Sequence, residues 1–465
     1  MRIELLPHRA DIWRKVRSGE MGPNFVSATH CCLLAHEVID PERLRGALAI
    51  LAARHQVLTG RIVERDGSAF VDQIPLAPIP LRLIDLSHLS PLQAEQKAQQ
   101  FVGGAVWGAF EADDAALCAA FCAALPSGRT AFGFVIHHLV ADGLSVQIAC
   151  GELIAHYDAI GGGYAPAPRQ VPPDHSLALY NERFRRWMVS SDASDAAAYW
   201  DRTLAGAPAT RLPPRADADG PGPTIEMART LSFRWEWLTR GDLHRCAVAH
   251  GVSAMHIVAL ANLAALWRLT SAADQTLALL GLGRTDPAVL RTVGFFAEPS
   301  ALRLQLSPLD TLLALLHRLR DQYNASYRHR TAPWAAVVDR FDAIGASPVL
   351  PQLNYYEALG NDRPIAPEPA PRFEAFLTPP CAPQPTSSFA LPAHYIQFSA
   401  SQRGLEGHIR FLPSLYDEAA ARRFLGVIEW LLTRAVSREL DFDTTRLADL
   451  PTDISAPHDQ ALCNA

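Results

Sequence analysis

Lysine is almost missing from this 465-residue chain: of its 42 basic residues only Lys15 and Lys97 are lysines, the other 40 being arginines. Phosphate-cradling P-loops and Schiff-base chemistry each need a lysine ammonium at one defined place. No GxxxxGK[ST] stretch surrounds either lysine, and Lys97 sits in the polar run Gln93 to Gln100. Cysteine is present without a pattern. Cys31 and Cys32 are adjacent, Cys118 and Cys122 are one helical turn apart, and Cys150, Cys246, Cys381 and Cys463 are scattered with no CxxC among them. Neither zinc spacing nor a disulfide framework results, so reduced thiols are expected, with Cys31 and Cys32 as small buried hydrophobes. Long apolar runs are missing too. Met1 to Ala10 holds no run of seven apolar residues and no stretch approaches 18, so neither a signal peptide nor a membrane span is visible and a soluble, cytoplasmic protein is expected. A net charge of −6 supplies no basic field for nucleic acid. Charged residues at 19% and apolar residues at 49% exclude a disordered chain, and the length suits two to four domains.

Proline and glycine gather in Ile160 to Pro173, Ala205 to Pro223 and Pro364 to Pro385. Such stretches read as linkers or long loops, and the first divides the chain into 1–170 and 171–465. Each half alternates helix and strand signals, which predicts a mixed α/β chain of two similar units. Pro41 to His55 reads as a helix capped by Asp40, and Thr130 to His138 as a buried strand followed by a helix over Leu144 to Tyr157. Further on, helices are predicted over Val252–Leu269, Thr311–Arg328 and Asp417–Val436, with strands over Thr276–Leu282, Phe389–Gln397 and Glu406–Phe411.

The sharpest local feature is His137-His138-Leu139-Val140-Ala141-Asp142-Gly143, where the chain leaves the buried strand. Strand alternation turns His137 and His138 to opposite faces, so only one can look into a given cleft. Asp142 can brace the turn or orient an imidazole. Gly143 leaves a bare backbone N–H at the start of a helix, a donor suited to a developing oxyanion. Two adjacent histidines facing apart, without a further His or Cys nearby, make a poor metal site, and no metal is expected. The bland alternative is a pair of satisfied core histidines.

In this setting the chain resembles the condensation domains of nonribosomal peptide synthetases, which carry HHxxxDG. Arg54-His55-Gln56-Val57-Leu58 resembles that family's RHExLR segment, with Gln56 for Glu and Thr59 where an arginine is usual. Tyr199-Trp200 with Leu204-Ala205-Gly206 is similar to its YW…LAG stretch. Gly283-Arg284, Val293-Gly294-Phe295-Phe296 and Ala332-Pro333-Trp334 resemble its GR, GFFxN and xPF segments, in order. Two departures stand out. Pro7-His8-Arg9-Ala10 occupies the place of an opening motif with Ser and Gln, and Glu298-Pro299 that of Asn-Thr.

The resemblance implies two chloramphenicol-acetyltransferase-like lobes forming a V-shaped pseudo-dimer, with the active site in the channel between them. It implies that His138 works beside the nucleophile, as base or positioning group, while Gly143 is the candidate oxyanion donor by its own place at the helix start. His137, Asp142 and Arg284 would support the site, the last two as a buried pair. The resemblance implies no bound cofactor, a phosphopantetheine arm being expected on a partner acyl or peptidyl carrier protein, and an acceptor amine or alcohol that is a small molecule or is itself carrier-bound. Because Ser437 to Ala465 is too short for a carrier or adenylation domain, a free-standing condensation enzyme is expected, forming an amide or ester in natural-product biosynthesis, with release of the chain as one outcome; a monomer is expected as well. The rivals are an acyltransferase using acyl-CoA and a silent platform that binds carrier domains. Arginines of Glu182–Arg186 and Arg422-Arg423 are solvated helix faces or a carrier docking surface.

Overall fold

The computed structural model describes the chain except residues 1, 6, 19–27, 67, 75–76, 108–116, 214–224, 285, 333–336, 338–350, 358–371, 376–384, 388–393 and 452–465. Pro333, Trp334, Cys381, Cys463 and most of the Pro364 to Pro385 stretch therefore lie outside the described residues.

The elements run β1 (Arg2–Glu4), α1 (Pro7–Arg17), β2 (Ala28–Ala35), α2 (Pro41–Arg54), β3 (Arg61–Arg65), β4 (Ser68–Asp72), β5 (Leu81–Asp85), α3 (Pro91–Trp107), β6 (Cys118–Ala124), β7 (Thr130–His137), α4 (Gly143–Gly161), α5 (Ser176–Met188) and α6 (Ser191–Leu204). They continue with β8 (Ile225–Met227), β9 (Arg229–Trp235), α7 (Arg240–Ala249), α8 (Ala254–Thr270), β10 (Asp274–Gly281), β11 (Glu298–Gln305), α9 (Leu312–Arg328), β12 (Gln352–Glu357), β13 (Phe373–Ala375), β14 (Pro385–Ser387), β15 (Tyr395–Ser401), β16 (Gly404–Phe411) and α10 (Glu418–Val436). The predicted mixed α/β character is what the chain has. Caps fix several helix starts: Asp40 accepts from Glu42 and Arg43 N–H, Thr311 from Ala314 and Asp417 from Ala420.

Two compact units form. The first comprises residues 1–188, 284–297 and 366–382, and the second 189–283, 298–365 and 383–465. The Pro/Gly-based division at residue 170 reflects where regular structure pauses, whereas the packed unit runs on through α5, whose Asn181 donates to the Glu4 carbonyl at 2.6 Å.

In the first unit a five-stranded sheet has the order β13-β2-β7-β6-β5, and a smaller one the order β1-β4-β3. Side-chain alternation explains its layers. Cys118, Ala120, Cys122, Phe132, Phe134 and Ile136 join one core with Leu44, Leu48 and Leu51 of α2 and Val146, Ala149 and Leu153 of α4. Phe121, Ala123 and Ala131 face the opposite way, onto Ala94, Ala98 and Val102 of α3. Both faces of β7 are thus covered, which is why its sequence is continuously apolar. Gly133 within it is required, since a Cβ there would collide with the Cys31 carbonyl of β2.

The second unit holds a six-stranded sheet, β11-β10-β12-β15-β16-β9, in which β10, β12 and β15 run parallel, and a two-stranded β14-β8 pair. Leu277 and Leu279 of β10 face the main core with α8 and α10, while Ala278 faces Trp200 and Leu204 of α6. Every residue of α8 from Ile257 to Leu266 is buried, so its all-round apolarity belongs to a core helix. Among the described residues no single helix is long and apolar enough to cross a membrane.

Candidate active site

Strand β7 ends at His137, so His138 falls in the turn rather than on the strand. The turn is closed by Val140 N–H donating to the His137 carbonyl at 3.0 Å. His137 Nδ1 accepts from Leu139 N–H at 3.1 Å, which puts the proton of the neutral ring on Nε2. Burial, with the neighbouring His138, lowers its pKa to about 4. His137 is in this way a turn-holding group.

His138 is partly exposed, but its Nδ1 is buried and has no hydrogen-bond partner among the described residues. The nitrogen left to meet another molecule is Nε2. The imidazole packs on Phe295 with centroids 4.6 Å apart. Burial pushes its pKa down; the Arg9 guanidinium acts in the same direction, and Asp142 with the His138 and Ala141 carbonyls opposes them. The ring therefore waits neutral, with a lone pair available, at neutral pH.

Asp142 caps α4 and points into the protein. Its Oδ1 accepts from Ser145 N–H at 2.8 Å and from Arg284 Nη2 at 3.0 Å; its Oδ2 accepts from Phe296 N–H at 3.0 Å and Ala297 N–H at 3.2 Å. Arg284 is equally enclosed: it donates to the Thr292 carbonyl at 2.7 Å, to the Val289 carbonyl and to Ser145 Oγ at 2.8 Å, and its Cζ lies 4.3 Å from the Phe296 ring centroid. Ser145 Oγ also accepts from Gly294 N–H at 3.0 Å, and its single proton lies within reach of the Gly294 carbonyl and Asp142. The carboxylate thus fastens the turn after His138 to the segment 284–297, which belongs to the same unit.

Gly143 opens α4. It is exposed, and a Cβ built on it would meet nothing within 4 Å. Its N–H is one of the first groups of the helix, which find no partner inside it, while the Asp142 side chain serves Ser145 further in. Because Arg284 neutralises Asp142, the positive end of the helix dipole is not cancelled beside Gly143.

Sequence reasoning placed His137, His138, Asp142, Gly143 and Arg284 in this region, and all five lie in it. It missed Ser145, which links Asp142, Arg284 and Gly294; a polar residue three positions after an Asp cap was the available signal. It also missed the contact of Arg9 with this region. Arg54-His55 plays a different part: buried His55 Nε2 lies 2.8 Å from Glu152 Oε2 and its Nδ1 3.9 Å from Asp174 Oδ2, tying the end of α2 to α4. Tyr199 stacks on His329 with centroids 4.2 Å apart, and buried Trp200 donates to the His329 carbonyl, both in the second unit. Glu298 and Pro299 open β11 opposite Gly281 and Leu280. Arg183, Arg185, Arg186 and Arg422 are ion-paired with Asp286, Glu4, Glu182 and Glu418 respectively. Among the described residues no group of three His, Cys, Asp or Glu side chains is arranged to hold a metal ion.

A two-unit α/β fold with HHxxxDG at the exit of a central strand, its aspartate clamped by a distant arginine, defines a class. The chain belongs to the condensation domain family, whose model matches residues 25–445. Over 431 residues it is 27% identical to the probable non-canonical nonribosomal peptide synthetase CymA of Salinispora arenicola, covering 89% of this chain and 5% of that protein. Over 399 residues it is 24% identical to malpinin synthetase of Mortierella alpina, covering 85% of this chain and 5% of that one. The chain therefore spans only about 5% of the length of these relatives. The same fold occurs in the first condensation domain of the calcium-dependent antibiotic synthetase, with a TM-score of 0.75 at 19% identity, over 97% of this chain and 99% of that one.

Proposed function

We propose that the chain is an acyltransferase that moves an acyl, peptidyl or polyketide group from a phosphopantetheine thioester on a carrier protein to the amine or hydroxyl of an acceptor. The observation that carries this reading is the disposition of His138: a neutral imidazole whose Nδ1 is buried, immediately ahead of the open N-terminus of α4 at Gly143. Family membership supports it.

The chemistry follows from those two groups. Nε2 of His138 takes the proton of the acceptor N–H or O–H as the nucleophile's electron pair closes on the thioester carbonyl carbon. Negative charge gathers on the former carbonyl oxygen, where the Gly143 N–H is the donor at hand. Collapse re-forms the carbonyl and breaks the C–S bond, and the imidazolium returns its proton to the leaving sulfur. Atoms and protons balance without a metal or redox partner. Asp142, Arg284 and Ser145 take no part in the proton's path; they hold the turn and the helix end in register.

The test is to offer the protein a carrier loaded with a panel of acyl thioesters, together with amine and alcohol acceptors, and to follow carrier discharge and product by intact mass. His138→Ala is expected to lower turnover by about 10²–10⁴-fold with the melting temperature kept. Undiminished product formation by that variant would remove His138 from the chemistry. Equal turnover with the same acyl group on coenzyme A would replace the carrier-dependent reading by the CoA-dependent one. Carrier binding without discharge would leave a recruitment platform.

A further inference from the structure

We propose that Arg9 is a positioning residue for His138, acting through Phe295. The inference rests on the reading of His138 as proton acceptor, and on four contacts. Arg9, on α1, is only 5% exposed. Its Cζ lies 3.3 Å from the Phe295 ring centroid, and the same ring packs against the His138 imidazole at 4.6 Å. Its Nη2 donates to the Ala297 carbonyl at 2.6 Å, and the Ala297 N–H in turn donates to Asp142 Oδ2 at 3.2 Å. The guanidinium therefore holds residues 295–297 at both ends, one end pressing on the imidazole and the other clamping the carboxylate that follows it.

Geometry and charge act together. A planar guanidinium can stack flat on a ring and donate in its own plane at once, which an ammonium cannot do. Among the described residues the ionisable groups that act on His138 are Arg9 from α1, Asp142 from the turn and the adjacent His137 from β7, and Arg284 reaches this group through Asp142. Asp142 is already answered by Arg284. Arg9 is the second buried cation of the set, and it disfavours a proton on the imidazole. Arg9 lies in Pro7-His8-Arg9-Ala10, the segment that departs from the family's opening motif with its Ser and Gln.

The test reads the imidazole directly. In protein labelled with 13C-histidine, the His138 ring signal, assigned by its loss in His138→Gln, is titrated by NMR in the unaltered chain, in Arg9→Gln and in Arg9→Lys. Arg9→Gln is expected to shift the midpoint upward and to move the ring's chemical shift as Phe295 relaxes. Arg9→Lys restores the midpoint through its charge and leaves the chemical shift displaced, because stacking is lost. The acid limb of kcat/KM for acyl transfer moves up in pH in Arg9→Gln and returns in Arg9→Lys. An unchanged midpoint and chemical shift in Arg9→Gln overturns the proposal. Should Arg9→Gln fail to fold, Phe295→Leu breaks the same link from its other side: a displaced His138 signal supports the link and an unmoved one refutes it. If no acyl transfer is found at all, the reading of the function falls while the titration still decides the role of Arg9.

Discussion

Arg284 Nη2 donates to Asp142 Oδ1 at 3.0 Å, and the two side chains are only 1% and 3% exposed. They are 142 residues apart in sequence, yet both belong to the first unit. A buried pair of this kind is seldom a large net source of stability, because desolvation offsets most of the attraction. Its effect is geometric: four donors converge on one carboxylate and fix the turn that carries His138.

Breaking the pair from one side leaves the other charge buried without a counter-charge. Arg284→Ala and Asp142→Ala are each expected to destabilise the fold by about 3–5 kcal/mol. Thermal and urea unfolding measure this, with acyl transfer followed in parallel. Normal melting combined with abolished activity would contradict the structural role.

Parts of this arrangement were legible in the sequence and parts were not. The apolar strand before the motif and the open Gly143 at the helix start are local, set by side-chain alternation and backbone freedom, and local rules find them; the role of Asp142 as the cap of α4 emerges only in the structure. The partnership of Asp142 with Arg284 came only from resemblance to a family, since no local rule joins residues so far apart. His138 was read as the last strand residue, but β7 stops at His137, where the Val140 N–H turns back onto its carbonyl. Arg9 and Phe295 stand in segments that the sequence singles out, but their contacts with His138, like the links of Ser145, are not legible there. They depend on the course of residues 284–297, which follow the second unit's β10 and belong to the first unit. Hydrophobic periodicity reports which face of an element is buried and not which core receives it. Of α5 only the helix face Glu182–Arg186 is legible in the sequence, and of α6 only the Tyr199-Trp200 and Leu204-Ala205-Gly206 segments, since both helices lie beside Pro/Gly-rich stretches that blur their bounds.

Acid should destabilise the protein well above the carboxylate range. His394 is completely buried with neither ring nitrogen partnered among the described residues, and burial lowers its pKa to about 3; buried His256 is lowered to about 4 by burial, reinforced by Arg320. In the unfolded chain these rings titrate near 6.5, so the unfolded state binds more protons below that pH. Their contribution to stability is fully present above pH 6.5 and is lost progressively as pH falls toward 4 and 3. Urea denaturation at a series of pH values should show this slope. His394→Leu, which keeps the packing against Phe424, is expected to flatten it and to gain relative to the unaltered protein most at low pH.

The thiols should be slow to react in the folded state. Cys32, Cys118, Cys122 and Cys246 are buried, and burial raises their pKa values, to about 11 for Cys122 and Cys246 and further for the other two. Cys31 is raised as well, chiefly by its contact with Cys150, whose Sγ is 2.6 Å away. Alkylation by iodoacetamide near neutral pH, mapped by peptide mass, is expected to spare these residues in the native protein and to modify them in concentrated guanidinium chloride. Rapid native labelling of Cys31 or Cys32 would contradict their reading as packed hydrophobes.

Gly143 separates a structural glycine from a functional one. Glycines are demanded by the fold where φ is positive or where a Cβ would strike a neighbour, as at Gly133. Gly143 meets neither condition, since its φ is not in the left-handed region and a methyl group there would contact nothing within 4 Å. Alanine in the first turn of α4 should therefore leave stability unchanged or raise it by up to about 1 kcal/mol, because glycine has the greater backbone entropy when unfolded. If the space before Gly143 receives the thioester carbonyl, a side chain there obstructs it, and the loss should deepen from Gly143→Ala to Gly143→Val while the Gly143→Ala melting temperature holds. Steady-state kinetics on both variants, paired with thermal unfolding, check this. Full activity in Gly143→Val would show that the reacting carbonyl does not approach this helix end, and the oxyanion would need a different donor.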